Sequence, residues 1–303
     1  MEGISHIVVE VSELKRSEEF YRFLGFEFIG PDRVPNCGRA VSLRTASNQW
    51  LVLSESEQPR SLPETGVHQA YRVTARDREA IANKLAGRGI TVHTYREDRP
   101  AETDDNFYFF DPDGNRIQLV VAHGAARTRD IVLAIDHAAI ECHDLEWAED
   151  FYVRRLGLEV DHRVGWRTED YVRARLWGEG KEDMAPGTRR WDTRYTVMEQ
   201  KRRIPRPNTQ LFVRVGDQVL GIYLATQHRQ EPPEEQVLGT PRIGLRASPE
   251  RLAQIRKLLT ESRDPIQGPV QHLDGVPIAA SLYVRDPGGN FLEICVSRQT
   301  DRE

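Results

Sequence analysis

Cysteine is scarce in this 303-residue chain: Cys37, Cys142 and Cys295 are scattered and odd in number. That pattern argues against a disulfide framework and suits a reducing, cytoplasmic setting. Cys142 and Cys295 fall in apolar strand patterns and read as small buried hydrophobes, not as a redox pair. An excess of positive charge is also missing. The 42 Lys and Arg face 47 Asp and Glu, a net charge of -5 that supplies no field to draw nucleic acid. No run approaches the length of a membrane span, and Met1-Glu2-Gly3 leads into a strand pattern without a secretory leader. What is present, 39% hydrophobic and 29% charged residues, describes a globular protein with room for two cores.

The chain repeats itself. Ile4-Ser5-His6-Ile7-Val8-Val9-Glu10-Val11, then Phe20-Tyr21, then Leu24-Gly25-Phe26-Glu27 return as Ile135-Asp136-His137-Ala138-Ala139-Ile140-Glu141-Cys142, Phe151-Tyr152 and Leu156-Gly157-Leu158-Glu159. The histidines are 131 residues apart and the glycines 132, an agreement chance does not produce. A second repeat interleaves with the first. It runs from His68 to Asp111-Pro112-Asp113-Gly114-Asn115-Arg116-Ile117-Gln118, and again from Arg242 to Asp286-Pro287-Gly288-Gly289-Asn290-Phe291-Leu292-Glu293.

Four modules follow, each a strand, a helix and three strands. They group in sequence as a first domain at 1–124 (modules 1–61 and 66–124) and a second at 131–303 (modules 131–230 and 238–303). An insertion around 164–208, rich in Arg, Trp and Tyr, reads either as a lid or as a surface excursion. Period-two alternation puts Ile7, Val9 and Val11 on one face and His6, Val8 and Glu10 on the other. Leu14, Ser17, Phe20, Tyr21 and Leu24 form one helical stripe able to cover the apolar face. Ser248-Pro249-Glu250 is a helix start, and each Asp-Pro-x-Gly-Asn run is a turn between the third and fourth strands of its module. The expected fold is α+β: four βαβββ modules in two half-open barrels, with helices outside.

These repeats resemble the vicinal oxygen chelate superfamily of glyoxalases, bleomycin-resistance proteins and extradiol dioxygenases, over nearly the whole chain. The segment Leu282–Glu293 is similar to the ring-cleavage dioxygenase signature, with His272 upstream of Tyr283. The resemblance implies a divalent metal (Fe2+, Mn2+, Ni2+ or Zn2+) held by residues from the first and last strands of the modules. Those positions fall on His6, His68, Gln118, His137 and Glu293, while Arg242 takes a ligand position it cannot fill, being a permanent cation with donors only. If modules one and two pair, His6, His68 and Gln118 come together. If one pairs with four and two with three, His68, Gln118 and His137 do, and His6 joins Arg242 and Glu293. The sequence leaves both pairings open.

The resemblance further implies an enzyme whose metal chelates two adjacent oxygens of a small substrate and lowers their pKa. Tyr283, His272 and Glu141 are the candidates for orienting substrate or moving protons, with Glu10 a further base. The alternatives are a metal-free, bleomycin-resistance-like binding protein and a scaffold that has lost its chemistry. Partners are expected to be a small-molecule substrate, with no nucleic acid and no membrane, in a monomer or homodimer.

Overall fold

The computed structural model describes all residues except 32, 61–65, 94–105, 123–130, 165–209, 226–231, 234 and 299–303. The insertion therefore lies outside the described residues.

The first module comprises β1 (Gly3–Val11), α1 (Leu14–Leu24), β2 (Glu27–Pro31), β3 (Ala40–Arg44) and β4 (Trp50–Glu55). The second has β5 (His68–Val73), α2 (Ala75–Gly87), β6 (Asn106–Phe110) and β7 (Arg116–Val121), with His93 bridging to Tyr108. The third has β8 (Val132–Cys142), α3 (Leu145–Glu149, continued as π-helix through Asp150–Arg155), β9 (Val160–Val164), β10 (Gln210–Val215) and β11 (Gln218–Leu224). The fourth has β12 (Arg242–Arg246), α4 (Pro249–Glu261), β13 (Ile266–Gln271), β14 (Ile278–Arg285) and β15 (Phe291–Ser297). Among the described residues no helix is long and apolar enough to cross a membrane.

Local chemistry explains these elements. The buried face of α1 is Leu14, Ser17, Phe20, Tyr21 and Leu24, the stripe expected from its periodicity, and α1 ends at Gly25 in the left-handed conformation. Helix α4 starts on Ser248, whose side chain accepts from the Arg251 amide, with Pro249 in the first turn. In both Asp-Pro-x-Gly-Asn turns the leading carboxylate accepts from the backbone amide of the closing Asn, at 2.7 Å. The same carboxylates receive the hydroxyls of Tyr21 (3.0 Å) and Tyr152 (2.7 Å) from neighbouring modules.

The modules pair crosswise. One sheet runs β13-β14-β15-β12-β1-β4-β3-β2 and joins modules one and four; the other runs β6-β7-β5-β8-β11-β10-β9 and joins two and three. The sequence halves 1–124 and 131–303 are repeats, but neither half is a closed sheet. In the eight-stranded sheet β1 and β12 are antiparallel, with Ile7 opposite Ile243; in the seven-stranded sheet β5 and β8 are antiparallel, with Ala70 opposite His137.

One apolar core, contributed by all four modules, fills the faces that carry the helices. A pseudo-twofold clasp ties the sheets together at its centre. Gln218 accepts from the Ile4 amide (2.7 Å) and donates to the Ile135 carbonyl (2.6 Å). Gln49 accepts from the Ile135 amide (2.8 Å) and donates to the Ile4 carbonyl (2.7 Å). A cavity of about 100 Å³ lies along this pseudo-axis, between Ile7–Val9 and Ala138–Ile140.

Candidate metal centre

The inner face of the seven-stranded sheet gathers His68 from β5, Gln118 from β7 and His137 from β8. Gln118 lies beside Ala70 in the ladder, and Ala70 lies beside His137. His68 Nδ1 donates to the Gly66 carbonyl at 2.7 Å, and His137 Nδ1 donates to the Asp136 carboxylate at 2.6 Å. Both Nδ1 protons are thereby committed, which turns a lone pair outward on each Nε2.

The two Nε2 atoms face each other at 2.9 Å. Two lone pairs do not share that distance without a cation between them, whether a proton or a metal ion. Two nitrogen ligands at right angles on one ion, each about 2.1 Å from it, stand about 3 Å apart. Gln118 Oε1 is buried near this pair and receives no hydrogen bond. It is close enough to raise the basicity of His68, but neither Nε2 has a hydrogen to give it.

Burial, and next the neighbouring His137, hold the His68 pKa well below its ordinary 6.5, so the ring is neutral and fit to ligate at neutral pH. Tyr108 and Tyr223 meet His68 edge-on at 5.6 and 6.0 Å, and Tyr223 continues to Phe212, which stacks on His162 at 4.1 Å. The donor set thus fits a divalent ion, with aromatic walls beside it. It contains two imidazoles and an amide, and among the described residues no three His, Cys, Asp or Glu are placed to hold an ion by themselves.

The matching place in the eight-stranded sheet is filled. His6, Arg242 and Glu293 are 0%, 1% and 0% exposed. Arg242 Nε lies 2.9 Å and His6 Nε2 3.2 Å from the same carboxylate oxygen of Glu293. The Arg242 contact is an ion pair, and neither contact has hydrogen-bond geometry. The other Glu293 oxygen accepts from Ser281 at 2.5 Å. Arg242 also donates to the carbonyls of Pro35, Asn36 and Gly239 and to Cys37 Sγ, and its guanidinium lies over the Tyr283 ring. Burial alone would raise the Glu293 pKa; His6, Arg242 and Ser281 outweigh it and hold it at about 2. His6 and Glu293, expected as ligands, are instead paired with each other, and Glu293 also holds the Arg242 guanidinium. These residues do not fit a metal ion.

The proton-handling candidates divide in the same way. His272 Nε2 bonds Ser281 Oγ at 2.8 Å, and because Ser281 spends its proton on Glu293, His272 is the donor. The Tyr283 hydroxyl accepts from Asn36 at 2.8 Å, and burial pushes its pKa up to about 12. Both residues serve the closed centre and stand in the other sheet from His68 and His137. Glu141 is buried on the His137 face of β8 but four residues along, about 13 Å at strand rise. Glu10 accepts from the Arg60 amide and from Thr240, so it anchors loops. Of the other histidines, His162 is exposed and His93 and His143 are half-buried; His123 and His228 lie outside the described residues.

Asp136 and Ser281 were missed by period-two reading, which assigns Asp136 to the face opposite His137. The register slips at Asp136, so that His137 pairs with Ala70 and Ile135 with Tyr71. A bulge of this kind re-aims the extra side chain.

Four modules, three of them βαβββ and the second βαββ with a His93 bridge, form two half-open sheets with imidazoles from different modules meeting on an inner face, the fold of the vicinal oxygen chelate architecture. Residues 3–119, the first two modules, match the model of the Glyoxalase/Bleomycin resistance protein/Dioxygenase superfamily. Glutathione transferase FosA of Serratia marcescens is 28% identical over 130 residues, covering 42% of this chain and 86% of FosA. Metallothiol transferase FosB of Staphylococcus haemolyticus is 29% identical over 121 residues, covering 39% and 83%. Among solved structures, a Bacillus subtilis protein whose proposed activity is that of a dioxygenase has a TM-score of 0.62 at 13% identity, over 97% of this chain and 85% of its own. Glyoxalase I of Zea mays has a TM-score of 0.56 at 16% identity, over 98% and 92%. At those identities the structural likeness establishes the fold alone.

Proposed function

We propose that the chain is a metal-dependent enzyme with one working centre, formed by His68, His137 and Gln118, that acts on a small molecule presenting adjacent oxygens. The supporting observation is the convergence of two Nε2 lone pairs beside an unpartnered amide oxygen. This nitrogen and oxygen donor set suits Fe2+, Mn2+, Ni2+ or Zn2+. When bound, the ion supplies Lewis acidity, lowering the pKa of substrate oxygens. The chain's own part is to hold and orient: Gly66 and Asp136 fix the two rings, and Tyr108 and Tyr223 wall the site.

Glyoxalase-like or thiol-transfer chemistry, as the names of the relatives describe, fits better than ring cleavage. The dioxygenase-like pair His272 and Tyr283 sits with the closed centre, away from His68. The neutral charge of Gln118 favours a second reading, a metal-free small-molecule binder.

Metal analysis of purified protein after incubation with Mn2+ or Zn2+ separates the two. One equivalent in the wild type, lost in His68→Ala while the fold persists by circular dichroism, is the expected result. Wild-type protein that stays metal-free would sink the enzyme reading.

A further inference from the structure

Three neutral ligands around a dication leave its charge uncompensated, which is costly in a half-buried site. We propose that Asp136 provides the missing negative charge and fixes the tautomer of His137, acting as a positioning residue for the metal. The inference rests on the functional reading above.

The geometry is specific. Asp136 Oδ1 takes the His137 Nδ1 proton at 2.6 Å, and Oδ2 takes Arg72 Nε at 2.6 Å. Arg72 in turn lies 3.8 Å from Asp217, so Asp136, Arg72 and Asp217 together carry one net negative charge. The His137 N–H and the Arg72 guanidinium thus stabilise the carboxylate from two sides. A carboxylate on the far nitrogen of a ligating imidazole raises ring basicity and sets its direction, and such partners typically contribute about 10- to 100-fold in metal affinity.

The other sheet supplies the control. Its β1 also slips register ahead of the histidine, between Ile4 and His6, which makes Ser5 the extra residue. Ser5 Oγ stands 3.4 Å from His6 Nδ1 and brings no charge. There the acid is Glu293 on the last strand, where the seven-stranded sheet has Gln118. Each centre therefore owns one carboxylate, on the last strand in one and in the bulge in the other.

The test titrates Mn2+ and Zn2+ calorimetrically into the wild type, Asp136→Asn and Asp136→Glu, with nitrogen-15 NMR of the apo imidazoles alongside. Asp136→Asn, which keeps an acceptor but removes the charge, is expected to weaken Kd about 10- to 100-fold, with the apo fold retained by circular dichroism and partial recovery in Asp136→Glu. The wild-type His137 ring should be held as the Nδ1–H tautomer, and Asp136→Asn should mix the tautomers. Metal binding by Asp136→Asn within twofold of a metal-binding wild type overturns the role of Asp136 and leaves the enzyme reading standing. A wild type that binds neither ion overturns both.

Discussion

The two inner faces descend from one repeat and differ in what stands between their histidines. In the eight-stranded sheet, Gly244 lies opposite His6, and a Cβ there would fall 2.0 Å from the ring, so the imidazole folds over β12 toward Glu293. In the seven-stranded sheet Ala70 takes that place opposite His137, and the ring turns instead to His68 and Asp136. Arg242 stands where the other sheet has His68. A guanidinium brings a fixed positive charge, so that centre is complete as folded. The other face turns two imidazole nitrogens toward each other at 2.9 Å, which is where the proposed cation would sit. The same scaffold thus yields a keystone on one side and a receptor on the other.

The most severe way to break this contrast is to remove the keystone. Arg242→Met leaves Glu293 buried without its permanent cation and should destabilise the protein by about 3–5 kcal/mol, read as a shifted denaturant midpoint. Adding Glu293→Leu should recover much of the loss, and metal binding by the other sheet should be unaffected in the folded fraction. If Arg242→Met costs less than about 1 kcal/mol, the ion pair does not anchor its centre.

A milder comparison uses the central clasp. Gln49→Ala and Gln218→Ala each strip a buried amide, Ile135 in one case and Ile4 in the other, and should each cost about 1–3 kcal/mol. The pseudo-twofold arrangement requires the two losses to agree within about 0.5 kcal/mol. A large inequality would mean that the sheets do not share the clasp evenly.

The last and subtlest effect is one of slope, and it appears as pH falls. Glu293 is held at about 2 against an ordinary 4.5, so its stabilising contribution is complete above about 4.5 and fades as pH falls toward 2. Stability curves of wild type and Glu293→Gln between pH 2 and 6 should therefore converge at the acid end. Parallel curves would show that the carboxylate carries no such shift.

Much of the architecture was legible in the sequence because repetition and periodicity are local. The α1 stripe, the Ser248 cap and both turns follow from neighbouring residues. The pairing of modules was not, because His6 and His137 carry the same strand signature and only long-range contacts choose their partners. Arg242 was legible as a residue unable to ligate, and its approach to Glu293 followed from β12 and β15 being neighbours in one module. Asp136 was in plain view beside His137, yet strict alternation hid it, since a one-residue bulge leaves no mark in composition.

Crosswise pairing also sets an order of assembly. Modules two and three are contiguous, so the partners of the ladder between β5 and β8 lie only 59 to 71 residues apart. The ladder between β1 and β12 spans more than two hundred residues and must wait for nearly the whole polypeptide. On a ribosome the receptor half can take shape first, while the arginine-locked half is finished last, as a bolt drawn after the frame is standing.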